Sequence, residues 1–250
     1  LGRRDLVRAA TLAIGGVASA VPAESAPATP PGKALIVATP ANAVVETVSG
    51  KVRGYTEGGI YTFKGIPYAA TTEGKNRFLP PQKANPRPGV RNSMSYGPIC
   101  PQFRGPAWFS DTNQFHFERE FAEEHENCLR VNLWTPGIND GKKRPVLFWL
   151  HAMGFHSGSG HDFRFYDGAN LARHGDVVVV SINHRLNILG FCNLVEHGEQ
   201  YADSANVGLL DIVAALEWVR DNIANFGGDP GNVTVFGQSG GGMKVCALLA

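Results

Sequence analysis

Val233-Thr234-Val235-Phe236-Gly237-Gln238-Ser239-Gly240-Gly241-Gly242-Met243-Lys244-Val245-Cys246-Ala247-Leu248-Leu249 sets a strand-like run, a glycine-flanked serine and a helix-like run in immediate succession. The first four residues are β-branched or aromatic and suit a strand. The G-x-S-x-G pattern that follows puts a hydroxyl on a sharp strand-to-helix turn, where the backbone is strained and bulky neighbours two positions away would meet the adjoining strand and helix. The amide-rich N-terminus of the following helix favours negative charge beside that hydroxyl. Ser239 is therefore the candidate nucleophile. As a bare pattern, the same five residues also fit a solvated serine in a glycine-rich turn.

Upstream, Val146 to Leu150 and Val177 to Ile182 are unbroken apolar runs of strand length, separated by a helix-like Ala169 to His174. A longer helix follows, with Leu209, Ile212, Val213, Leu216, Val219 and Ile223 at helical spacing, Asn206 as its N-cap and Phe226-Gly227-Gly228-Asp229-Pro230 at its end. Continuous β-branched runs alternating with helices predict an α/β fold with a mostly parallel central sheet buried on both faces. Leu129 to Trp134 adds a strand before these. Val44 to Val48, Val52 to Thr56 and Tyr61 to Lys64 predict an antiparallel opening meander. Residues 70–127, rich in Pro, polar and aromatic residues, read as a long decorated loop region. The loop after Val146 to Leu150, His151-Ala152-Met153-Gly154-Phe155 and then Ser157-Gly158-Ser159-Gly160, is suited to present backbone N–H groups to Ser239, with the amide of Gly240 as a further donor. His151, His156 and His161 recur every five residues in glycine-rich loop, which is not the spacing that aligns metal ligands on a helix, and no metal is expected. Gly158-Ser159-Gly160 lacks the third glycine of a dinucleotide loop, and no nucleotide-phosphate motif is present, so no cofactor is implied.

The chain has 250 residues, 23 basic against 22 acidic, with 43% apolar and 18% charged residues. Such a balance describes a globular chain and argues against a nucleic-acid partner held by phosphate electrostatics. Residues 1–25 are set apart: Arg3-Arg4 precede the apolar stretch Ala9 to Val21, followed by small residues around Ala23 to Ala26. This reads as a twin-arginine export signal, with a periplasmic or secreted product. The apolar stretch is too short to cross a bilayer core of about 30 Å as a helix, so no stable membrane insertion is expected. Residues 26–43 read as a flexible lead-in, and residues 44–250 as the folded portion. Of the 4 cysteines, Cys100 and Cys128 sit at loop edges, whereas Cys192 and Cys246 fall in apolar runs that read as core. A Cys100–Cys128 bridge with two buried thiols is the preferred pairing in an oxidising compartment, and four free thiols the alternative.

Several blocks in order resemble the N-terminal half of the type-B carboxylesterases, the family of bacterial para-nitrobenzyl esterases and cholinesterases. They are Phe63 to Ala69, Arg77-Phe78, Glu126 to Asn132, Trp149 to Gly160, Asn183-His184-Arg185-Leu186, Gly208 to Asp211 and Asn222 to Gly242. The resemblance implies an α/β-hydrolase fold and hydrolysis of a small-molecule ester through an acyl-enzyme on Ser239. It implies an oxyanion hole from the amides of Met153, Gly154 and Gly240, a disulfide between Cys100 and Cys128, and structural ion pairs Arg77–Glu126 and Arg185–Asp211. Two departures stand out. Ala152 and Met153 replace glycines of the family's H-G-G-G-F, which strains Met153 if its φ is positive and narrows the acyl side of the pocket. Gln238 stands where the family often has glutamate, weakening attraction for cationic substrates. The family's order is serine, then acid, then histidine, yet only 11 residues follow Ser239 and none of the eight histidines is among them. The acid and histidine are expected beyond Ala250, and the 250-residue piece alone is expected to be inactive. A non-catalytic cholinesterase-like recognition protein, which would typically lack the serine, and an inert truncated product are the alternatives.

Overall fold

The computed structural model describes residues 36–103 and 122–250. The expected export signal at 1–25 and most of the lead-in lie outside them. Among the described residues ten strands form two sheets. The larger has the order β1 (Ile36–Val37), β4 (Tyr55–Glu57), β5 (Ile60–Pro67), β7 (Arg130–Thr135), β9 (Val178–Asn183), β8 (Arg144–Leu150), β10 (Gly228–Gly237). The parallel part is β9-β8-β10, with Val180 opposite Phe148 and Trp149 opposite Phe236. From β9 outward through β7, β5, β4 and β1 every pairing is antiparallel. This is the α/β-hydrolase fold, its N-terminal antiparallel strands flanking the parallel strands that carry the candidate nucleophile.

The opening strands differ from a single meander. β2 (Val44–Thr47) and β3 (Gly50–Arg53) pair antiparallel in a separate three-stranded sheet, completed by β6 (Val90–Asn92) parallel to β3. The run Val52 to Thr56 is therefore two strands, broken at Gly54. A Cβ there would collide with the carbonyl oxygen of Thr62 and the ring of Phe63. The chain thus changes sheets at the one residue small enough to pass so close to β5.

All six residues of β7 and all six of β9 are buried, as expected of strands covered on both faces. In β8 Val146, Phe148 and Leu150 are sealed on one face. The principal core runs from Val45 and Val52 through Phe63, Val131, Leu133 and Phe148 to Trp218 and Phe226. Phe63 meets Phe226 edge to face at 5.0 Å, and each such buried ring contributes roughly 1.5–3 kcal/mol.

Four α-helices are described: α1 (Ala169–Gly175) between β8 and β9, α2 (Asn187–Gly190), α3 (Val207–Asn222) between β9 and β10, and α4 (Gly240–Leu248). Asn206 occupies the N-cap of α3, but its side chain makes no capping hydrogen bond. A 3-10 turn over Ile223–Phe226 closes the helix, and Gly227 follows in the left-handed region at φ +76°. Ile212, Ala215 and Val219 face the core, whereas Val213, apolar and in phase by spacing, is exposed.

Candidate active site

Ser239 stands between β10 and α4 with φ +55° and ψ −116°, a strained conformation for a residue with a side chain. It is exposed, and the flanking glycines explain how. A Cβ on Gly241 would collide with the carbonyl oxygen of Leu150, at the end of β8. One on Gly237 would lie 2.6 Å from the carbonyl carbon of Gly241 and 2.7 Å from Leu150 O. Strand, turn and helix thus close on one another with no room for side chains, and the serine is left as the projecting group.

The loop after β8 reaches this turn. Gly240 lies against Gly154 so closely that a Cβ on it would collide with the Gly154 amide nitrogen. Met153 and Gly154 both have positive φ, +71° and +64°. The amides of Gly154 and Gly240 therefore belong to one small region beside the serine. Gly160 N donates to Asn183 Oδ1 at 2.8 Å, tying the far end of the same loop to the end of β9.

Beneath the turn is a buried polar cluster. Lys244, one turn into α4, has no exposed surface, and its ammonium donates to His151 O at 3.1 Å. Burial pushes its pKa down to about 7, and the charge of Asp162 opposes that shift. His151 and His184 are fully buried and stacked, with ring centroids 5.0 Å apart. Their Nδ1 atoms lie 2.9 Å from Ala152 O and 2.8 Å from Arg185 O. A carbonyl only accepts, so the proton is on Nδ1 in both rings. Burial, reinforced by the charge of Lys244, holds both well below the usual imidazole pKa. They are neutral, sealed from water and committed to the backbone. His161 is lowered to about 4 by burial and Lys64, and its ring stacks on Tyr96 at 4.2 Å. His156 is exposed, its Nδ1 3.0 Å from Ser157 Oγ. Among the described residues no group of three or more His, Cys, Asp or Glu is placed to hold a metal.

The other predicted residues lie away from the serine. Arg77 grips Glu126 with two hydrogen bonds, 2.7 and 2.5 Å, near the surface. Arg185 meets Asp211 in full burial: its backbone amide and Nε donate to Oδ2 at 3.0 and 2.9 Å, and Nη2 donates to Oδ1 at 2.7 Å. This pair ties the segment after β9 to α3. Cys100 and Cys128 are buried neighbours and stand as free thiols, not as the expected bridge. Hydrogen bonding with Cys100, followed by burial, pushes the Cys128 thiol up. The other two cysteines correct the core reading: Cys192 is half-buried and Cys246 is exposed on α4. The inward position on that helix is taken by Lys244. Its role was missed in the sequence, where the only signal is one lysine inside an otherwise apolar helix next to the serine.

A strained, exposed serine between strand and helix, with a glycine loop from the neighbouring parallel strand packed against it, has the geometry of the strand–turn–helix corner of the α/β-hydrolase fold. The carboxylesterase family model matches residues 41–250, and the chain belongs to that family. It is 45% identical over 207 residues to the para-nitrobenzyl esterase of Bacillus subtilis (strain 168), covering 83% of this chain and 40% of that protein. It is 42% identical over 205 residues to the phenmedipham hydrolase of Pseudarthrobacter oxydans, covering 82% of this chain and 39% of the relative. Among solved structures, an esterase from Clostridium hathewayi that can hydrolyze aliphatic aromatic polyesters superposes with a TM-score of 0.77 at 46% identity, covering 85% of this chain and 41% of the other. A Geobacillus stearothermophilus carboxylesterase gives 0.73 at 47% identity, covering 83% and 40%. The chain thus spans about two fifths of the length of these relatives.

Proposed function

We propose that this chain carries the nucleophile and oxyanion hole of a serine carboxylic ester hydrolase acting on small-molecule esters. The observation that carries the reading is the Ser239 turn, with Gly154 packed against Gly240. Ser239 Oγ attacks the ester carbonyl, and the amides of Met153, Gly154 and Gly240 receive the charge that develops on its oxygen. The alcohol leaves with a proton, and water then cleaves the acyl-serine. Serine needs a base to take its proton as it attacks. His151 and His184 are poor candidates, being buried with their protons engaged by the backbone. The base and its acid partner are proposed to lie on polypeptide beyond Ala250, in keeping with the share of the relatives that is matched. The full-length protein is expected to hydrolyse para-nitrophenyl acetate, with kcat lowered roughly 10⁴- to 10⁶-fold in Ser239→Ala, while residues 1–250 alone turn over none. Equal turnover by wild type and Ser239→Ala would overturn the reading.

Export through the N-terminal twin-arginine segment belongs to the same proposal, and with it oxidation of the adjacent Cys100 and Cys128 to a disulfide. Non-reducing peptide mapping of the exported protein is expected to find the Cys100 and Cys128 peptides linked to each other. Recovery of both as free thiols would refute the bridge.

A further inference from the structure

Away from the serine, Arg87, Arg91 and Arg130 converge on a cavity of about 440 Å³ between the β2–β3 hairpin and the segment after β5, a volume in the range of small-molecule sites. Lys51 lines it too, and no aspartate or glutamate does. In a chain of net charge +1, that is a strong local imbalance. Arg130 is only 6% exposed, and among the described residues its Nε has no hydrogen-bond partner, nor has the buried Nε of Arg91. Burial and the neighbouring Arg91 push the Arg130 guanidinium down to about 10. Glu73, the carboxylate that Arg130 senses, is already engaged by Thr71 Oγ1 at 2.5 Å and by His125 at 3.3 Å. A buried cation left unpaired costs several kcal/mol, so the buried Nε of Arg130, and beside it that of Arg91, are donors in want of an acceptor. Guanidinium forks match carboxylate and phosphate oxygens two at a time. Val52, Ile66 and Pro67 supply apolar wall beside them.

We propose that this cavity binds a small organic anion, a carboxylate or phosphate group on an apolar body, at a site separate from Ser239. The test is calorimetric titration of the full-length protein with sodium benzoate and, separately, inorganic phosphate, at ionic strength held constant with sodium chloride. At least one probe is expected to bind saturably, and equally well to Ser239→Ala. Tighter binding of benzoate assigns a carboxylate, and tighter binding of phosphate a phosphate ester. Arg91→Gln and Arg130→Met are each expected to weaken binding about ten- to a hundredfold, the loss of one charge-assisted contact. Arg91 is half-buried, so its variant keeps the test open if Arg130→Met folds poorly. Absence of saturable binding, affinity indifferent to Arg91, or binding lost in Ser239→Ala would overturn the proposal. None of these outcomes depends on ester hydrolysis.

Discussion

Met153 holds φ at +71° in the loop packed against the Ser239 turn, a conformation that costs a residue with a Cβ about 1–2 kcal/mol. Met153→Gly is expected to recover about 1 kcal/mol of unfolding free energy, measured by denaturant titration. Under the proposed function the same change removes a side chain from the acyl side of the site, so kcat/KM of the full-length protein across an acyl series is expected to shift toward longer chains. Lys244 makes a different demand. The unfolded chain keeps that lysine charged up to its usual 10.5, the folded chain only to about 7. Between these values the unfolded state binds the extra proton, so stability rises with pH across the window. Below about 7 both states are charged and the full penalty stands. Lys244→Met is expected to flatten that slope and to raise stability at pH 6 by an amount on the order of a few kcal/mol. Equal unfolding free energies for variant and wild type at pH 6 and pH 9 would contradict this.

At the level of elements, the segment after β9 is held to α3 by Arg185 and Asp211, both almost wholly buried. Burial alone would lower Arg185; the hydrogen bonds and charge of Asp211 more than reverse it, so the guanidinium stays charged. Asp211→Asn leaves that cation without its counter-charge, and a loss of about 3–5 kcal/mol in unfolding free energy is expected. What the sequence made legible follows the reach of each interaction. The β9, β8 and β10 runs and their helices announce themselves because strand and helix periods are local properties. Ser239 and the glycine loop are legible for the same reason, since a strand, a turn and a helix start within ten residues fix where the hydroxyl goes. The division of the opening strands between two sheets was not legible: it depends on Gly54 passing Thr62 and Phe63, a contact between segments that the pattern of either one cannot reveal. Nor was the burial of Lys244, which is set by His151 and His184 from the ends of two other strands.

Over the whole molecule, near-neutral charge conceals an uneven distribution. Carboxylates pair with Arg77, Arg144 and Arg185, while among the described residues none pairs with Arg87, Arg91 or Arg130 beside the β2–β3 hairpin. The sheet is uneven as well. Its central strands are sealed, but β10 pairs only with β8 among the described residues, and most of its ten residues are partly or fully exposed. One row of backbone donors and acceptors along Val233-Thr234-Val235-Phe236 therefore faces outward. An unpaired β-branched edge of this kind is a template for another strand. Prepared alone, residues 1–250 offer that edge to one another, so the piece is prone to edge-to-edge association, and its handling in solution turns on what covers β10 as much as on the chemistry of Ser239.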